Sequence, residues 1–243
     1  MSSSKNIRIL LCLISAITLL VLALRPGKLF DNPVSAVLES SDGRLLSARI
    51  AADGQWRFPA ADTVPEKFAR AIIRFEDKRF WHHPGVDPLA LARALRLNLK
   101  SGEVRSGGST ITMQTIRLSR GNPPRTIGEK LWEMALALRL EFYTSKKDIL
   151  AMYASNAPFG GNVVGLEAAA WRYFGRPADQ LSWAECATLA VLPNAPAMIH
   201  PGKSRDALLA KRNFLLDELC AAGDIDSLSC ELAKDEPLPD KPH

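Results

Sequence analysis

The chain opens with its longest apolar stretch, residues 9–24, which contains no charged side chain. Lys5 and Arg8 precede this stretch, and Arg25 and Lys28 follow it. About 16 apolar residues are fewer than the roughly 20 that cross a bilayer, but long basic side chains can reach the headgroups from both ends. The pattern therefore predicts a single transmembrane helix over residues 9–24.

A cleaved signal peptide is the alternative for this stretch. A cleavage site needs small residues, and Ala23-Leu24-Arg25-Pro26 matches that requirement poorly. An uncleaved signal anchor is therefore the better interpretation. The flanking charges are balanced and do not set the orientation. The shortness of residues 1–8 favours a cytoplasmic tail, with the long C-terminal part outside the cytoplasm.

Beyond the anchor, the spacing of apolar residues predicts a short β region and then helices. Residues 25–60 combine a linker with short apolar runs around Asp42-Gly43 and Asp53-Gly54, a pattern typical of β hairpins. Residues 61–223 carry repeated helix signals, and residues 224–243 are interpreted as a linker or tail because their end is proline-rich. Capping boxes indicate two of the helix starts, at Thr126 with Glu129 and at Ser182 with Glu185.

One predicted helix, over residues 88–100, is amphipathic. Leu89 and Leu95 belong to an apolar stripe, and Arg93 and Arg96 belong to a basic one. This pattern fits a helix that lies in an anionic membrane interface. It fits equally well a core helix with a solvated basic face.

The composition is that of a globular protein of 243 residues, with 47% hydrophobic and 23% charged residues. The formal net charge of +5 suits an anionic lipid surface or a phosphate-bearing ligand, and also an ordinary basic protein. No arginine-aromatic array predicts a nucleic-acid partner. The cysteines at 12, 186, 220 and 230 lack metal-ligand spacing. Cys220 and Cys230 could pair in an oxidising compartment, which the sequence leaves open.

The first candidate for catalytic chemistry is Glu76, at the end of an apolar helix. Neighbouring aromatic side chains could desolvate its carboxylate, and desolvation raises a carboxyl pKa towards the range of a general base. Asp77 is interpreted as a structural residue that bonds to local backbone, and His83 could fix the turn at Gly85 by hydrogen bonds. Taken alone, two adjacent acids are more typical of a helix end and a polar loop.

The second candidate is the loop Gly107-Gly108-Ser109-Thr110, which enters a helix. Its backbone amides and hydroxyls can hold an anion at the positive end of that helix. Gln114 and Arg117 follow Thr110 by four and seven residues on the same helical face, so Arg117 could reach the same phosphate. An ordinary N-cap is the simpler explanation of the loop alone.

The helix predicted after Thr126 has a polar and an apolar face. Lys130 and Glu133 share the polar face, opposite Leu131 and Leu138. We expect the core to cover the apolar face, which leaves the polar face to a cleft or to solvent. The alternative is an exposed Lys-Glu pair, worth only about 0.3–0.5 kcal/mol.

Taken in order, these stretches resemble the glycosyltransferase family 51 domain of class A penicillin-binding proteins. The resemblance covers about residues 37–223. Five motifs occur in the family's order, which is far more specific than any single motif. The matching positions are Glu76-Asp77, Phe80, His83 and Gly85; Gly108 to Thr112, Gln114 and Arg117; Arg125-Thr126, Lys130 and Glu133; Ser145-Lys146, Ile149-Leu150, Tyr153 and Gly160; and Tyr173 to Gly175, Leu181, Glu185 and Leu189 to Pro196.

The resemblance implies a mainly helical, lysozyme-like, bilobal transglycosylase domain whose smaller lobe dips into the membrane. It implies polymerisation of lipid II into glycan strands by inverting β-1,4 transfer, with release of undecaprenyl diphosphate. Glu76 would deprotonate the 4-hydroxyl of the acceptor sugar. Glu133 would assist at the diphosphate, directly or as the ligand of a divalent cation, Mg²⁺ or Mn²⁺. Substrate binding would fall on Asp77, Phe80, His83, Ser109, Thr110, Gln114, Arg117, Arg125 and Lys130.

The same resemblance implies a role in cell-wall biogenesis at the bacterial inner membrane, with the catalytic domain on the periplasmic side. The expected partners are lipid II, the growing glycan strand, the membrane and other cell-wall synthesis proteins, but no nucleic acid. We expect no transpeptidase within these 243 residues. Lys-Thr-Gly does not occur, and the single Ser-x-x-Lys, Ser2 to Lys5, precedes the apolar stretch.

The chain departs from the family's usual pattern at several positions. The departures at Met113 and Glu129 resemble one branch of the family. Ala151, Ala154 and Ser155 stand where the family has Glu, Leu and Asn. Of these, Ala154 and Ser155 motivate an alternative function, a catalytically impaired, membrane-anchored scaffold for cell-wall synthesis. Because two carboxylates can also flank a glycosidic bond that is hydrolysed, a lytic muramidase on the same fold is a second alternative.

Overall fold

The computed structural model describes residues 25–41, 43–101, 107–194 and 204–239, with the backbone alone at residues 98–101. The chain forms two compact units. Within the described ranges, no helix is both long enough and apolar enough to cross a membrane. The predicted anchor, residues 9–24, lies outside those ranges. Unit 1 takes the described parts of residues 1–31 and 81–146, and unit 2 takes those of residues 32–80 and 147–243.

The described residues are mainly helical, as the sequence predicts. The strands are β1 Ala36–Glu39, β2 Leu45–Arg49, β3 Trp56–Arg57 and β4 Val163–Val164. The α-helices are α1 Glu66–Glu76, α2 Pro88–Ser101, α3 Ile111–Ser119, α4 Ile127–Tyr143, α5 Lys146–Asn156, α6 Leu166–Phe174, α7 Trp183–Val191, α8 Arg205–Ala221 and α9 Ser227–Asp235. Two short 3₁₀ helices lie at Phe80–His82 and Ala178–Gln180.

The core of unit 2 is built around α7. Every residue from Ala184 to Val191 is buried, because this helix carries small or apolar side chains on nearly all sides. Helices α1 and α8 pack on it. From α1, Phe68 and Ile72 are fully buried, and the Phe68 ring centroid lies 6.2 Å from that of Phe159. This packing fixes the helix whose last residue is Glu76.

Helix α7 begins with the predicted capping box. The Ser182 hydroxyl accepts the Glu185 N–H at 3.1 Å, and the Glu185 carboxylate accepts the Ser182 N–H at 2.8 Å. At α4 only half of the predicted box forms, since Thr126 Oγ1 accepts the Glu129 N–H but the Glu129 carboxylate binds Arg120 Nη1 at 2.6 Å. The prediction of a full box at Glu129 is therefore wrong, because a charged guanidinium is a stronger partner than a backbone amide.

One of the two predicted hairpins is present. Strands β1 and β2 pair antiparallel around a turn in which Gly43 has a φ of 79°. The hairpin predicted at Asp53-Gly54 is wrong, because β3 pairs in parallel with β4 instead. The turn is closed locally by the Ala51 N–H, which donates to the Gln55 carbonyl at 3.0 Å. A pairing between strands so far apart in the chain leaves no local turn signal.

In unit 1, helices α3 and α4 pack together, and the face of α4 that is buried carries Glu133 and Ala137. The opposite, apolar face is exposed, with Leu131 61% and Phe142 74% accessible. The expectation that the core covers this apolar face is therefore wrong. A Cβ on Gly85 would lie only 2.6 Å from the Ala137 carbonyl oxygen. The backbone at Gly85 therefore packs closely against the side of α4 that carries Ala137.

The segment predicted as a linker or tail, residues 224–243, contains helix α9. Asp226 caps this helix, since its carboxylate accepts the Ser229 N–H at 2.9 Å. Cys230 and Ala233 are buried, and α9 packs on α8. The structure differs from the prediction here because a capped helix with a buried face precedes the proline-rich end.

Two arginines of α8 hold the chain that leaves α9. Arg212 is fully buried and bonds two backbone carbonyls with its guanidinium. Arg205 makes similar bonds at the surface. The donor–acceptor distances are 2.6 Å from Arg212 to Glu236, 2.8 Å from Arg212 to Lys234, 3.1 Å from Arg205 to Leu238 and 2.6 Å from Arg205 to Pro239.

We expect Arg212→Leu to lower the free energy of unfolding by about 2–4 kcal/mol, because two partly buried carbonyls lose a charged donor that is itself fully buried. Arg205→Leu removes the same kind of bond from an exposed side chain and should lower it by less than about 1 kcal/mol. Equilibrium urea unfolding of both variants measures the difference. Equal effects would show that burial of Arg212 is not what makes its bonds stabilising.

Candidate active site

Glu76 is the half-buried last residue of α1 in unit 2. The Oε1 atom of its carboxylate is excluded from solvent. Its neighbour is Tyr153 of α5, which is itself buried. Burial raises the pKa of the Tyr153 hydroxyl well above its ordinary value, and the nearby Glu76 charge raises it further. Tyr153 therefore stays protonated beside the carboxylate.

The two predicted site residues that follow Glu76 in unit 2 are buried. The Asp77 N–H donates to the Ile73 carbonyl at 2.9 Å, and the Asp77 carbonyl accepts the Phe80 N–H at the same distance. Phe80 has no exposed surface. These backbone bonds hold the turn that ends α1.

The remaining predicted site residues lie in unit 1, where His83 and Gly85 connect the first motif to the second. The Gly85 N–H donates to His83 Nδ1 at 3.1 Å, so His83 fixes the turn as the sequence suggested. The Gly85 carbonyl accepts the Thr110 hydroxyl at 2.6 Å. Gly85 has a φ of 96°, a conformation that favours glycine.

The loop before α3 ends in an N-cap formed by Thr110, whose Oγ1 also accepts the Met113 N–H at 3.1 Å. Both functions of this hydroxyl are thus used within unit 1. The Ser109 hydroxyl is instead bonded to Lys130 Nζ of α4. Gly108 makes this placement possible, since a Cβ there would lie 3.0 Å from the Leu91 Cα.

We define a cationic cluster as Arg117, Arg125 and Lys130. Arg117 and Lys130 lie near the buried carboxylate of Glu133, and Arg125 lies near Lys130. Arg117 Nη1 lies 3.8 Å from Glu133 Oε1. Its other nitrogen, Nη2, donates to the Pro123 carbonyl at 2.9 Å. Gln114 is half-buried one turn earlier on α3. The cluster carries three positive charges against the single negative charge of Glu133, and this excess suits a strongly anionic ligand.

The environment of Lys130 disfavours its own charge. Burial is the main reason that its pKa is lowered from the ordinary value of 10.5, and the charges of Arg117 and Arg125 lower it further. Glu133 acts in the opposite direction. A bound anion would relieve the repulsion among these three positive charges.

Lys130→Met should therefore leave the melting temperature unchanged or raise it, while it weakens anionic substrate binding by about 10- to 100-fold. The free energy of unfolding gained by the variant should shrink as pH rises through the lowered Lys130 pKa towards 10.5, since the native lysine then loses its charge. Denaturation at several pH values and the KM for substrate measure both effects. Lys147→Met, at an exposed lysine, is the matched control.

One further buried carboxylate in unit 1, Glu141 of α4, is not among the residues predicted from the sequence. It accepts the Thr112 hydroxyl and Lys146 Nζ, both at 2.6 Å. Glu141 lies two turns beyond Glu133 on the same buried side of α4, so helical periodicity could have found it. Its bonds fix the first turn of α3, which follows directly on Ser109.

In unit 2, Ala154 and Ser155 line a cavity of about 350 Å³ together with residues at the start of α6. Glu167 also lines it, and burial is the main reason that its pKa is raised. Its carboxylate accepts Trp171 Nε1–H at 3.1 Å and the Ala178 N–H at 3.2 Å. Two of the departures from the family pattern therefore change the wall of this cavity.

The sequence of the chain is similar to those of known proteins of one family. The sequence pattern of the transglycosylase family matches residues 42–220. Penicillin-binding protein 1C of Escherichia coli is 40% identical over 208 residues, 85% of this chain. A provisionally named transglycosylase of Cupriavidus necator is 35% identical over 175 residues, 72% of this chain and 75% of its own length. A crystal structure of penicillin-binding protein 1A from Haemophilus influenzae covers 86% of this chain at 20% identity, with a TM-score of 0.48.

The chain belongs to the transglycosylase family. The family predicted from its ordered motifs is confirmed, and the branch that Met113 and Glu129 resemble is that of penicillin-binding protein 1C. This chain spans 27% of the length of the Escherichia coli relative and 21% of the Haemophilus influenzae chain.

Proposed function

We propose that this protein is a peptidoglycan glycosyltransferase that polymerises lipid II into glycan strands and releases undecaprenyl diphosphate. The observation that carries the proposal is the cationic cluster next to the buried Glu133 carboxylate, which Arg117 and Lys130 contact electrostatically, in a chain of the transglycosylase family. A diphosphate leaving group is the kind of anion that such a cluster stabilises.

Glu76 is the general base in this proposal. Its carboxylate takes the proton from the 4-hydroxyl of the acceptor sugar as that oxygen attacks the anomeric carbon of the donor. The new bond forms on the face opposite the departing diphosphate, so the α linkage becomes β. The packing of α1 in unit 2 holds the base in position, and the neutral Tyr153 hydroxyl lies near it.

The cationic cluster acts on the leaving group. Negative charge builds on the diphosphate as the bond to the anomeric carbon breaks, and groups that meet this charge stabilise the transition state more than the ground state. Arg117 and Lys130 are half-buried and already fixed by bonds to Pro123 and Ser109, so little reorganisation is needed when charge develops.

A divalent cation is proposed to bind together with the substrate. Within the described ranges, no three His, Cys, Asp or Glu side chains are grouped to hold a metal ion. Mg²⁺ commonly takes one or two protein carboxylates and completes its shell with substrate phosphate and water. Glu133 is suited to be that single protein ligand. When bound, the cation would supply further positive charge at the diphosphate.

Unit 1 is proposed to lie against the membrane that holds the lipid substrate. The exposed face of α4 carries an apolar stripe, defined as Ile127, Leu131, Leu138 and Phe142. Four large apolar side chains exposed along one helix are unfavourable in water and mark a surface that contacts lipid or another protein. Leu89 and Leu95 of α2 are also exposed, which favours the membrane-interface interpretation of that helix over the core one. The predicted anchor at residues 9–24 is part of the same proposal.

We expect a polarity-sensitive fluorophore at Leu131→Cys to shift to the blue, and to be quenched by brominated lipids, when the full chain is reconstituted in vesicles. The same label at Leu228→Cys, on an equally exposed leucine of unit 2, is the control and should respond much less. Cys12 and Cys220 are replaced by serine in both variants. Equal responses at the two positions would exclude a preferred lipid contact by the apolar stripe.

The two alternative functions, a lytic muramidase and a scaffold, make different predictions from the proposed enzyme. A lytic muramidase would release soluble sugars from finished strands, whereas the proposed enzyme needs a lipid-diphosphate donor. The scaffold alternative rests on Ala154 and Ser155, but these residues line the unit 2 cavity, while Tyr153, the neighbour of Glu76, is retained. This arrangement favours a working base over a scaffold.

The full chain, incubated with labelled lipid II and Mg²⁺ or Mn²⁺, should produce glycan polymers that resolve by length on a gel. In parallel, the chain is incubated with finished glycan strands. Soluble sugars from the strands would favour the muramidase. Neither product would favour the scaffold.

A further inference from the structure

Cys220 and Cys230 face each other across an antiparallel helix pair. Helix α8 ends in a tight turn, in which the Gly223 N–H donates to the Cys220 carbonyl at 2.9 Å, and α9 begins at Ser227. The chain therefore reverses within a few residues and α9 packs back on α8. This arrangement places the two cysteines in one seam near the closed end of the pair.

Two contacts fix the register of the seam. Lys234 Nζ lies 2.6 Å from Asp217 Oδ1, and Cys230 Sγ lies 3.6 Å from the Leu216 carbonyl. Cys220 follows Asp217 by three residues on α8, and Cys230 precedes Lys234 by four residues on α9. Each step is about one helical turn, and the helices are antiparallel, so the two steps lead towards each other.

We propose that Cys220 and Cys230 are a disulfide-forming pair that is oxidised by a thiol–disulfide oxidoreductase or another disulfide of that chemical class. Both thiols are reduced in the structure. The proposal rests on the proposed function only through the extracytoplasmic setting, where such oxidants operate. A disulfide between Cys220 and Cys230 would link α9 covalently to α8. It would also restrain the chain after α9, which Arg212 binds.

The exchange has a clear order. Cys220 is half-exposed, whereas Cys230 is buried and burial raises the pKa of its thiol. The Cys220 thiolate therefore attacks one sulfur of the oxidant's disulfide, and the oxidant's other sulfur leaves as a thiolate. The Cys230 thiolate then displaces the first oxidant sulfur and bonds to Cys220 Sγ. Two electrons pass to the oxidant, which becomes two thiols with the two protons released through solvent.

The test treats the reduced full chain with oxidised glutathione, blocks the remaining thiols and digests the product. A protease that cleaves before Asp224 or Asp226 separates the two cysteines, so the expected product is two peptides joined only by the new disulfide. The oxidised chain should also melt roughly 3–8 °C higher than the reduced chain, as expected for a short closed loop.

Cys220→Ser should lose both the linked peptides and the rise in melting temperature. Cys186→Ser, which removes a fully buried thiol of α7, is the matched control and should behave like the unaltered chain. Separate glutathione adducts on Cys220 and Cys230, no oxidation, or a link to Cys12 or Cys186 would overturn the proposal. A chain that forms this bond but makes no polymer from lipid II would leave the proposal standing and reject the proposed function instead.

Discussion

Glu76→Gln should reduce polymerisation of lipid II by about 10²- to 10⁴-fold, because glutamine keeps the shape of the side chain but cannot accept the acceptor's proton. The fold should survive, since Phe68 and Ile72 of α1 are fully buried in unit 2 and are left unchanged. The loss should fall on kcat more than on KM. Steady-state kinetics on lipid II, together with melting temperatures, separates a lost base from a lost fold.

The matched control for this variant is Glu66→Gln. Glu66 begins the same helix, is exposed and is paired with Arg70 at 2.5 Å. Its substitution removes one negative charge from α1 at the other end and should leave the rate within about twofold, as expected for an exposed ion pair. If Glu76→Gln retained the full rate, the proton would have to go to another group.

Glu133→Gln is expected to lower kcat by about 10²- to 10³-fold, the range found when one charge-stabilising group is removed from an active site. KM should not rise, because the variant leaves the cationic cluster with more positive charge for the ground-state diphosphate. If Glu133 acts through a divalent cation, the residual activity should no longer respond to Mg²⁺ or Mn²⁺. Kinetics at several cation concentrations measures both effects.

Glu129→Gln is the control for Glu133. It lies one turn earlier on α4, is half-exposed and pairs with Arg120. Its effect on kcat should stay within about threefold. A loss of rate as large as that of Glu133→Gln would mean that any negative charge on α4 supports the rate, and not specifically the buried carboxylate of Glu133 beside Arg117 and Lys130.

The helices could be predicted because their signals are local. The capping box joins Ser182 to Glu185, only three residues further on, and the apolar character of α7 lies within one continuous stretch of the sequence. The parallel pairing of β3 with β4 depends on contacts between distant parts of the chain, which no turn signal records. Helix α9 was hidden by the proline-rich residues that follow it, although its Asp226 cap could have been recognised.

The face of α4 shows what periodicity can and cannot predict. The pattern separates an apolar face from a polar one, but it does not say which face is covered. Here the polar face is buried, because Arg117 and Lys130 compensate Glu133 and because Gly85 contacts the Ala137 backbone. The prediction that Leu131 is buried assumed that water surrounds the protein on all sides, so that an apolar face must turn to the core. Leu131 is exposed instead.

The candidate site was predictable in part. Ordered motifs identified the residues that form the cationic cluster, because that pattern is carried by residue type and order. Glu141 was missed because it lies outside the motifs and acts through Thr112 and Lys146. Glu129 was assigned to a capping box with Thr126, but its carboxylate binds Arg120, nine residues earlier in the chain. The charged guanidinium is a stronger hydrogen-bond partner than the backbone amide of Thr126.

The most direct test follows both products when the unaltered full chain meets lipid II labelled in the sugar and in the diphosphate. The predicted result is one undecaprenyl diphosphate released for each new bond, every new bond being β-1,4 by nuclear magnetic resonance. Diphosphate release without new bonds, new bonds of α configuration, or lipid II left intact while finished strands are cut would contradict inverting transfer from a lipid-diphosphate donor.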